Sequence, residues 1–575
     1  MVKLLLGNEA IARGAYEAGT RVATAYPGTP STEITQYITK YDEIYAEWSP
    51  NEKVALEVAI GASIAGARSM CSMKHVGLNV AADPLFTASY VGVNGGLVIC
   101  VADDPGMHSS QDEQDSRNYA SFTKTLMLEP SDSAECRSFM IKAFELSERY
   151  DTPALVRLST RISHSRGLVE TAPRIEAPLK QYKKDVAKYV MMPGMARARH
   201  AVVEERVKTL TAFAETTELN TTEYHDKKIG VVTSGIAYQY AKEALGDGAS
   251  YLKLGMVYPL PEKKIIEFAK SVGECYVIEE LDPVIENHCK RLGVRVVGKD
   301  ILPLLGEYSS NLIREAILKE KPKFSQVAEK MPQRPPVMCA GCPHRGVFYV
   351  LNQMKLTVTG DIGCYTLGAY PPLSSIDTTL CMGAGVGMAH GMEKAAGRDF
   401  AKNTVAVIGD STFNHSGITG LIDIVYNKGT SVVMILDNLS TGMTGHQDHP
   451  STGKTIRREP THALDLVKLC EAVGVRRVNV IDPFDVAGLR ALLRRELDAD
   501  EPSVIITRRI CVMLEKEKKN KYSLDTNLCK GCSICMKMGC PAIIKKDGVI
   551  TNDPSLCAGC GLCAKLCKSG AFVEL

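Results

Sequence analysis

Two textures alternate along most of the chain. Short, unbroken apolar runs ending in Gly, Asp or Asn are followed by Ala- and Gly-rich stretches with helical spacing. Residues 97–106 (LVICVADDPG) and 57–69 (EVAIGASIAGARS) show both textures. Uniformly apolar strands alternating with helices predict an α/β fold of doubly wound parallel sheets, because a parallel strand is covered on both faces. The pattern returns at 227–235 (KKIGVVTSG) and 275–281 (CYVIEEL), then at 404–410 (TVAVIGD), 431–438 (SVVMILDN) and 503–509 (SVIITRR). Residues 166–226 are charged and helix-prone without a strand signal, and predict a helical linker. Pro-rich 331–337 (MPQRPPV) and basic 515–522 (EKEKKNKY) mark two further boundaries. The expected domains are therefore 1–165, 227–325 and 335–512, all α/β, and a separate terminal segment at 520–575.

A chain of 575 residues exceeds a single core, which agrees with that division. Hydrophobic residues at 45% and charged residues at 23% are ordinary for a globular protein. A net charge of +2 argues against a nucleic-acid binder. The first residues, MVKLLLGNEAIARG, read as a strand and helix rather than a signal peptide. No uncharged run reaches the roughly 18–20 residues that span a bilayer. The expectation is a soluble, cytoplasmic protein, with no nucleic acid or membrane among its partners.

The thiols change the picture. Eight of the 19 cysteines lie within 529–570. Cys529, Cys532 and Cys535 are spaced by three and followed by Cys540 and Pro541; Cys557, Cys560 and Cys563 repeat the spacing, followed by Cys567. In the bacterial ferredoxin pattern the fourth Cys of each run ligates the other cluster. That assigns one 4Fe–4S cluster to Cys529, Cys532, Cys535 and Cys567, and another to Cys557, Cys560, Cys563 and Cys540. Four residues between Cys535 and Cys540, and Lys568 in place of a second Pro, are small departures. Structural zinc takes four ligands, commonly as two spaced pairs, and does not explain two interleaved sets.

Residues 409–447 carry a second chemistry. Asp410 ends one strand and Asp437–Asn438 end the next, so they should meet at the carboxyl edge of a sheet, where ligands of such folds sit. Asp410, Asn438 and the carbonyl of Ser440 are hard oxygen donors of the kind Mg²⁺ takes beside phosphate. Gly409 allows close approach, and the following helix turns its N-terminus to an anion. Each piece alone reads as an ordinary turn. Their separation by one strand–helix–strand unit, with Gly442 in the TGMTGHQ that follows, favours a site. In the first unit, Glu52 opens a small-residue helix and Glu57 lies further along it. Ser49-x-x-Glu52 is equally a capping box, and the residues leave both readings open. The loop AYPGTPSTEI (25–34) exposes Thr29 and Thr32 at a strand end.

The 409–447 spacing resembles the thiamine-diphosphate motif, with Ser411 in place of its third Gly and Asp437 in place of its first Asn. CMGAGVGMAHG (381–391), with Gly383 and Gly385, would then let backbone approach the diphosphate; alone it reads equally as tight helix packing. YPGTPST, NEKVALEVAIGAS, CAGCPHR, GDIGCY, GDSTFNHSG, DNLSTGMTGHQ and the cysteine-rich tail together resemble the 2-oxoacid:ferredoxin oxidoreductases, in particular the large subunit of the indolepyruvate branch. The resemblance covers essentially the whole chain. It implies a pyrimidine-binding domain at 1–165, a diphosphate-binding domain at 335–512, a transketolase C-terminal-like domain at 227–325 and a ferredoxin-like tail. Glu52 is then the carboxylate on the aminopyrimidine, Thr29 a substrate contact, and Asp410, Asn438 and Ser440 the Mg²⁺ ligands.

The implied reaction is oxidative decarboxylation of an aryl pyruvate to the aryl-acetyl-CoA, with reduction of ferredoxin. Implied partners are a smaller β subunit in an (αβ)₂ assembly, ferredoxin, coenzyme A and the 2-oxoacid. Other 2-oxoacids, a non-redox thiamine decarboxylase and a non-catalytic electron-transfer subunit are the alternatives. Cys339, Cys342, Cys364 and Cys511 stand where relatives hold a further cluster; buried core cysteines are the competing reading. His75, His108, Arg117 and His415 border the expected site. Arg117 suits a carboxylate, and His108 or His415 a proton; a structural role competes for each.

Overall fold

The strand Leu97–Asp103 is buried at every position and sits mid-sheet, as its unbroken apolar sequence requires. The computed structural model describes residues 1–321, 329, 331–332, 335–517 and 519–575. The expected end of the second α/β segment at 325 lies outside the described residues, as does Lys518 of the 515–522 linker. The chain forms two compact units, Met1–Ala328 and Glu329–Leu575.

In the first unit a seven-stranded sheet runs in the order Met256–Tyr258, Leu126–Leu128, Ala154–Ser159, Leu97–Asp103, Ser69–Lys74, Val22–Ala25, Tyr45–Trp48. Every neighbouring pair is parallel except the first. A second sheet, Glu274–Ile278, Ile229–Thr233, Ser250–Leu254 and Asn220–Glu223, is parallel but for its last strand. The segments 1–165 and 227–325 are not independent. Met256–Tyr258 edges the first sheet, and Val232, Leu252, Phe268 and Ile285 share one core with Leu56, Ile99 and Val101.

The stretch 166–226 differs from a plain helical linker. Arg166–Glu170 pairs antiparallel with Val2–Leu6, and Asn220–Glu223 pairs with Ser250–Leu254. Both are edge strands. Only Val169 of the first is fully buried, so neither shows an apolar signature. Between them, helix Pro193–Thr216 opens on a proline, which needs no N–H partner there. It buries Val203, Arg206, Leu210 and Ala214 along one face.

The second unit holds a five-stranded, all-parallel sheet in the order Thr357–Thr359, Thr404–Gly409, Val432–Asp437, Ser503–Arg508, Arg477–Ile481. Gly409 registers with Leu436, which sets Asp410 beside Asp437 at the carboxyl edge. The tail is two small ribbons, Tyr522–Leu524 with Phe572–Glu574 and Ile543–Lys546 with Val549–Asn552. The second turns on Asp547–Gly548, both at positive φ, the two-residue turn that matches strand twist. Met538, Ile543, Ile550, Leu562 and Phe572 of the tail share a core with Val347, Phe348 and Leu351 of helix His344–Met354. The tail is thus packed on the sheet domain, not tethered to it.

Candidate active site

The carboxyl edge of the second unit gathers oxygen donors. Asp410, Asp437, Asn438 and Ser440 are all buried. One terminal atom of the Asn438 amide lies 2.8 Å from the Ser440 carbonyl oxygen and 3.2 Å from Asp410 Oδ1. With nitrogen there it donates to both; with oxygen there, three acceptors face one another. Adjacent oxygens around Mg²⁺ at about 2.0–2.1 Å stand about 3 Å apart, so the triangle has the spacing of three octahedral ligands. Amide orientation is decided by its surroundings. A divalent cation selects oxygen-in, and its absence selects nitrogen-in. Asp410 Oδ2 and His449 Nε2 are 3.2 Å apart but misaligned for a hydrogen bond, and both are buried without another partner. Burial and the adjacent Asp410 push the Asp437 carboxyl above its usual range, against the pull of Arg508 Nε at 2.6 Å. Two buried carboxylates side by side are what a bound cation relieves. These residues fit Mg²⁺.

The glycines divide. A side chain on Gly409 would strike Tyr365, and one on Gly385 the carbonyl of Gly360 at 2.7 Å. Gly383, at φ +90, abuts Ser416. The amides of Gly383 and Gly385 donate to Asp361 at 3.0 and 3.2 Å. Both glycines therefore serve close packing at the start of helix Ala384–Ala396, and their N–H groups are not offered to a phosphate. A side chain on Gly442 would meet Cys364 Sγ at an ordinary contact distance of 3.4 Å, and Ser411 Oγ accepts from Thr441. Asp361 is fully buried, and burial pushes it up to about 6 despite three N–H donors. Sequence reading missed it, although Gly360–Asp361 repeats at a neighbouring strand end the Gly–Asp of 409–410. His449, in contrast, left no signal.

In the first unit Glu52 begins helix Glu52–Ile64 and is 4% exposed. Its cap is Asn51, whose side chain accepts from Val54 N–H at 2.9 Å. Ser49 donates to Glu47 instead, so the Ser49–Glu52 box is not built. Gly77 makes room for the Glu52 carboxylate, since a side chain there would lie 2.6 Å from Oε1. Glu57 is exposed and paired with Lys53. Thr29 lies on a half-buried loop whose carbonyl accepts from Ser109 Oγ at 3.3 Å. Lys74, unremarked in the sequence, is buried there; its ammonium donates to the Ser109 carbonyl at 2.6 Å, and burial lowers it to about 8. His75 is buried, 3.4 Å from Asp112, whereas His108 is half exposed near Glu307. His415, in the second unit, is buried with Nδ1 2.9 Å from Ser416 Oγ.

Arg117 is not a substrate clamp. Its guanidinium is buried and held by Asp115 and Glu279, each at 2.6 Å, and by the carbonyls of Glu280 and Asp282. Those partners raise it well above its ordinary value against the cost of burial. Every side of the fork is taken. Arg117→Met should destabilise the first unit by about 3–5 kcal/mol, because two buried carboxylates lose their counter-charge. Denaturant unfolding measures that loss; a change near zero would return Arg117 to the list of ligand-binding groups.

All nineteen cysteines are free. The tail thiols fall into two groups by mutual influence. After burial, Cys535 feels Cys532, Cys529 and Cys567; Cys563 feels Cys560, Cys540 and Cys557. Backbone N–H groups point at sulfur, Ala571 to Cys567 at 3.3 Å and Gly559 to Cys557 at 3.4 Å. A third group joins residues far apart in sequence. Cys364 feels Cys511 and Cys339, and Cys342 feels Cys339 and Cys364; burial lifts Cys364 to about 11 and Cys342 to about 12. Among the described residues no three His, Cys, Asp or Glu side chains close round a single metal ion. A four-iron cube asks for thiols set further apart. Arg345 ties these groups together, donating to the carbonyls of Met338 and Cys339 on one side and Met538 and Gly539 on the other.

An oxygen triangle on one parallel sheet, a buried Glu in the first turn of a helix on another and grouped thiols are the parts of a thiamine-diphosphate oxidoreductase. Residues 13–235 match the thiamine-diphosphate-binding domain model of pyruvate flavodoxin/ferredoxin oxidoreductases, and 361–507 the C-terminal binding domain model of thiamine pyrophosphate enzymes. Indolepyruvate oxidoreductase subunit IorA of Archaeoglobus fulgidus is 40% identical over 99% of this chain and 96% of its own. That of Pyrococcus horikoshii is 38% identical over 94% and 91%. The 2-oxoglutarate synthase subunit KorA of Archaeoglobus fulgidus is 26% identical over 52% of this chain and 96% of its own. The chain belongs to the IorA family of indolepyruvate oxidoreductase subunits, thiamine-dependent 2-oxoacid oxidoreductases. Among the described residues no helix is long and apolar enough to cross a membrane.

Proposed function

We propose that this chain, with a smaller β subunit in an (αβ)₂ assembly, converts an aryl pyruvate and coenzyme A to the aryl-acetyl-CoA and CO₂. One 2-oxoacid anion, one CoA thiol and two oxidised ferredoxins give one thioester, one CO₂, two reduced ferredoxins and one proton. The observation that carries this reading is the combination, in one unit, of an oxygen triangle suited to Mg²⁺–diphosphate with three groups of thiols. A non-redox thiamine decarboxylase has no use for the thiols.

Thiamine diphosphate, when bound, supplies the electron sink that lets CO₂ leave. Asp410, Asn438 and the Ser440 carbonyl would hold the Mg²⁺ that neutralises the diphosphate. Glu52, shielded from water and oriented by its helix, would hold a proton for the aminopyrimidine ring. Thr29 orients the substrate. Lys74 offers a buried cation to a carboxylate at that loop, the role Arg117 is too engaged to fill. His415 provides a buried imidazole for proton transfer. Cys529, Cys532, Cys535 and Cys567 would hold one 4Fe–4S cluster, and Cys540, Cys557, Cys560 and Cys563 a second, in a ferredoxin-like tail; Cys339, Cys342, Cys364 and Cys511 would hold a third. Such clusters supply one-electron storage.

The test is anaerobic. The assembled enzyme receives indolepyruvate, phenylpyruvate, 2-oxoisovalerate or pyruvate, with and without coenzyme A, while iron–sulfur absorption is followed. Bleaching by the aryl substrates alone is the expected result. Bleaching by another 2-oxoacid keeps the chemistry and moves the specificity. No bleaching, with iron and thiamine present, leaves an electron-transfer subunit as the better reading.

A further inference from the structure

One groove of the second unit takes no part in the chemistry above. Its walls carry Arg490 and Arg494 from helix Val486–Leu497 and Lys537, Lys565 and Lys568 from the tail. Its floor is apolar, with Tyr349, Phe484 and Leu566. The sole carboxylate in the lining, Asp485, caps its own helix by accepting from Gly488 N–H at 2.9 Å. None of the five cations makes an ion pair among the described residues. Asp482, which feels Lys565, is already held by Arg509 at 2.6 Å. On the far edge of the sheet, by contrast, Arg477 is matched by Glu496. Five cations against one engaged carboxylate make this groove locally basic on a chain whose net charge is only +2.

We propose that this groove is the docking surface for ferredoxin, an acidic electron-carrying protein. The proposal rests on the reading of the tail as an electron outlet. Lys537 is two residues from Cys535, and Lys568 follows Cys567; both thiols belong to the same tail group. The groove wall and that thiol group are thus one piece of chain, so a partner seated there is delivered to the outlet. An apolar floor with a cationic rim is the anatomy of a protein interface steered by opposite charge. The cations are spread over a helix and the tail, not converged on one point as a small phosphate would need.

The test uses the assembled, iron-loaded enzyme and the triple variant Arg494→Glu, Lys537→Glu, Lys565→Glu, all at exposed positions. Direct binding of an oxidised acidic ferredoxin, read by calorimetry, needs no turnover. The expected result is a Kd raised about tenfold or more at low salt, with the wild-type salt dependence flattened. Reduction of methyl viologen, a small dication, should be unchanged. An unaltered Kd overturns the proposal. So does a selective rise in the KM for coenzyme A in the viologen assay, which would make the groove a nucleotide site. Loss of the β subunit on purification would make it a subunit interface and overturn it equally. Failure of wild type to reduce viologen with any 2-oxoacid would strike the reaction proposed above, while the binding measurement would still decide the groove.

Discussion

Glu52→Gln should lower kcat by about 10²–10⁴-fold, the usual worth of a positioned acid–base group, with thiamine diphosphate still bound and the fold intact. The expectation separates two roles that one residue can hold at the start of a helix. Were Glu52 a capping residue, the substitution would move stability and leave kcat alone. Asn51 does the capping, through Val54, and Glu52 is buried against the gap left by Gly77. Gln keeps the shape and a hydrogen-bonding oxygen, but removes the group that can hold and release a proton. Steady-state turnover beside a thermal unfolding curve makes the measurement. Ser49→Ala is the control: it removes one hydrogen bond to Glu47 and should cost about 1 kcal/mol of stability with kcat preserved. A Glu52→Gln enzyme near wild-type kcat would sink the assignment.

What was legible in the sequence was whatever a single segment announces. Buried strands such as TVAVIGD and LVICVAD are apolar throughout because both faces are covered, so fold class followed directly. Asp410 and Asn438 could be paired because they end consecutive strands, and strand ends of a parallel sheet meet. Edge strands were lost for the opposite reason. Arg166–Glu170 buries almost nothing and reads like a linker. Pairing across segments was not legible either: nothing in the composition of Met256–Tyr258 says that it pairs with Leu126–Leu128. Arg117 stayed open because an arginine near a site looks the same whether its partner is a ligand or a distant glutamate, and Glu279 is 162 residues away. Lys74 and Asp361 were missed because burial, not residue type, gives them their character.

Cys364→Ser should remove about four iron atoms per chain, the content of one 4Fe–4S cluster, and stop ferredoxin reduction by the 2-oxoacid. The reasoning starts from what those thiols would be without metal. Burial lifts Cys342 to about 12 and Cys364 to about 11, so both are neutral at ordinary pH and count as small apolar groups. A core gains little by drawing Cys342 and Cys364 together with the exposed Cys339 and the half-buried Cys511 to one place beside the 438–442 loop, where a side chain on Gly442 would stand 3.4 Å from Cys364 Sγ. Iron does need them, because it binds the thiolate and so overrides the burial cost. Packing supplies the second argument. A side chain on Gly341 would meet Ala558 at 2.9 Å and Cys560 at 3.5 Å, so the loop bearing Cys339 and Cys342 rests on the tail loop bearing Cys557 and Cys560. The third group thus touches both the oxygen triangle side and the tail, and its loss interrupts the one run of thiols between them. Iron assay and low-temperature EPR of the variant make the measurement, with Cys470→Ser, a solitary buried thiol, as the comparison. Unchanged iron with intact turnover would leave the four cysteines without a cluster. Lost iron with thiamine and Mg²⁺ retained would place the break in the electron path alone, since none of the cofactor's oxygen ligands has been altered.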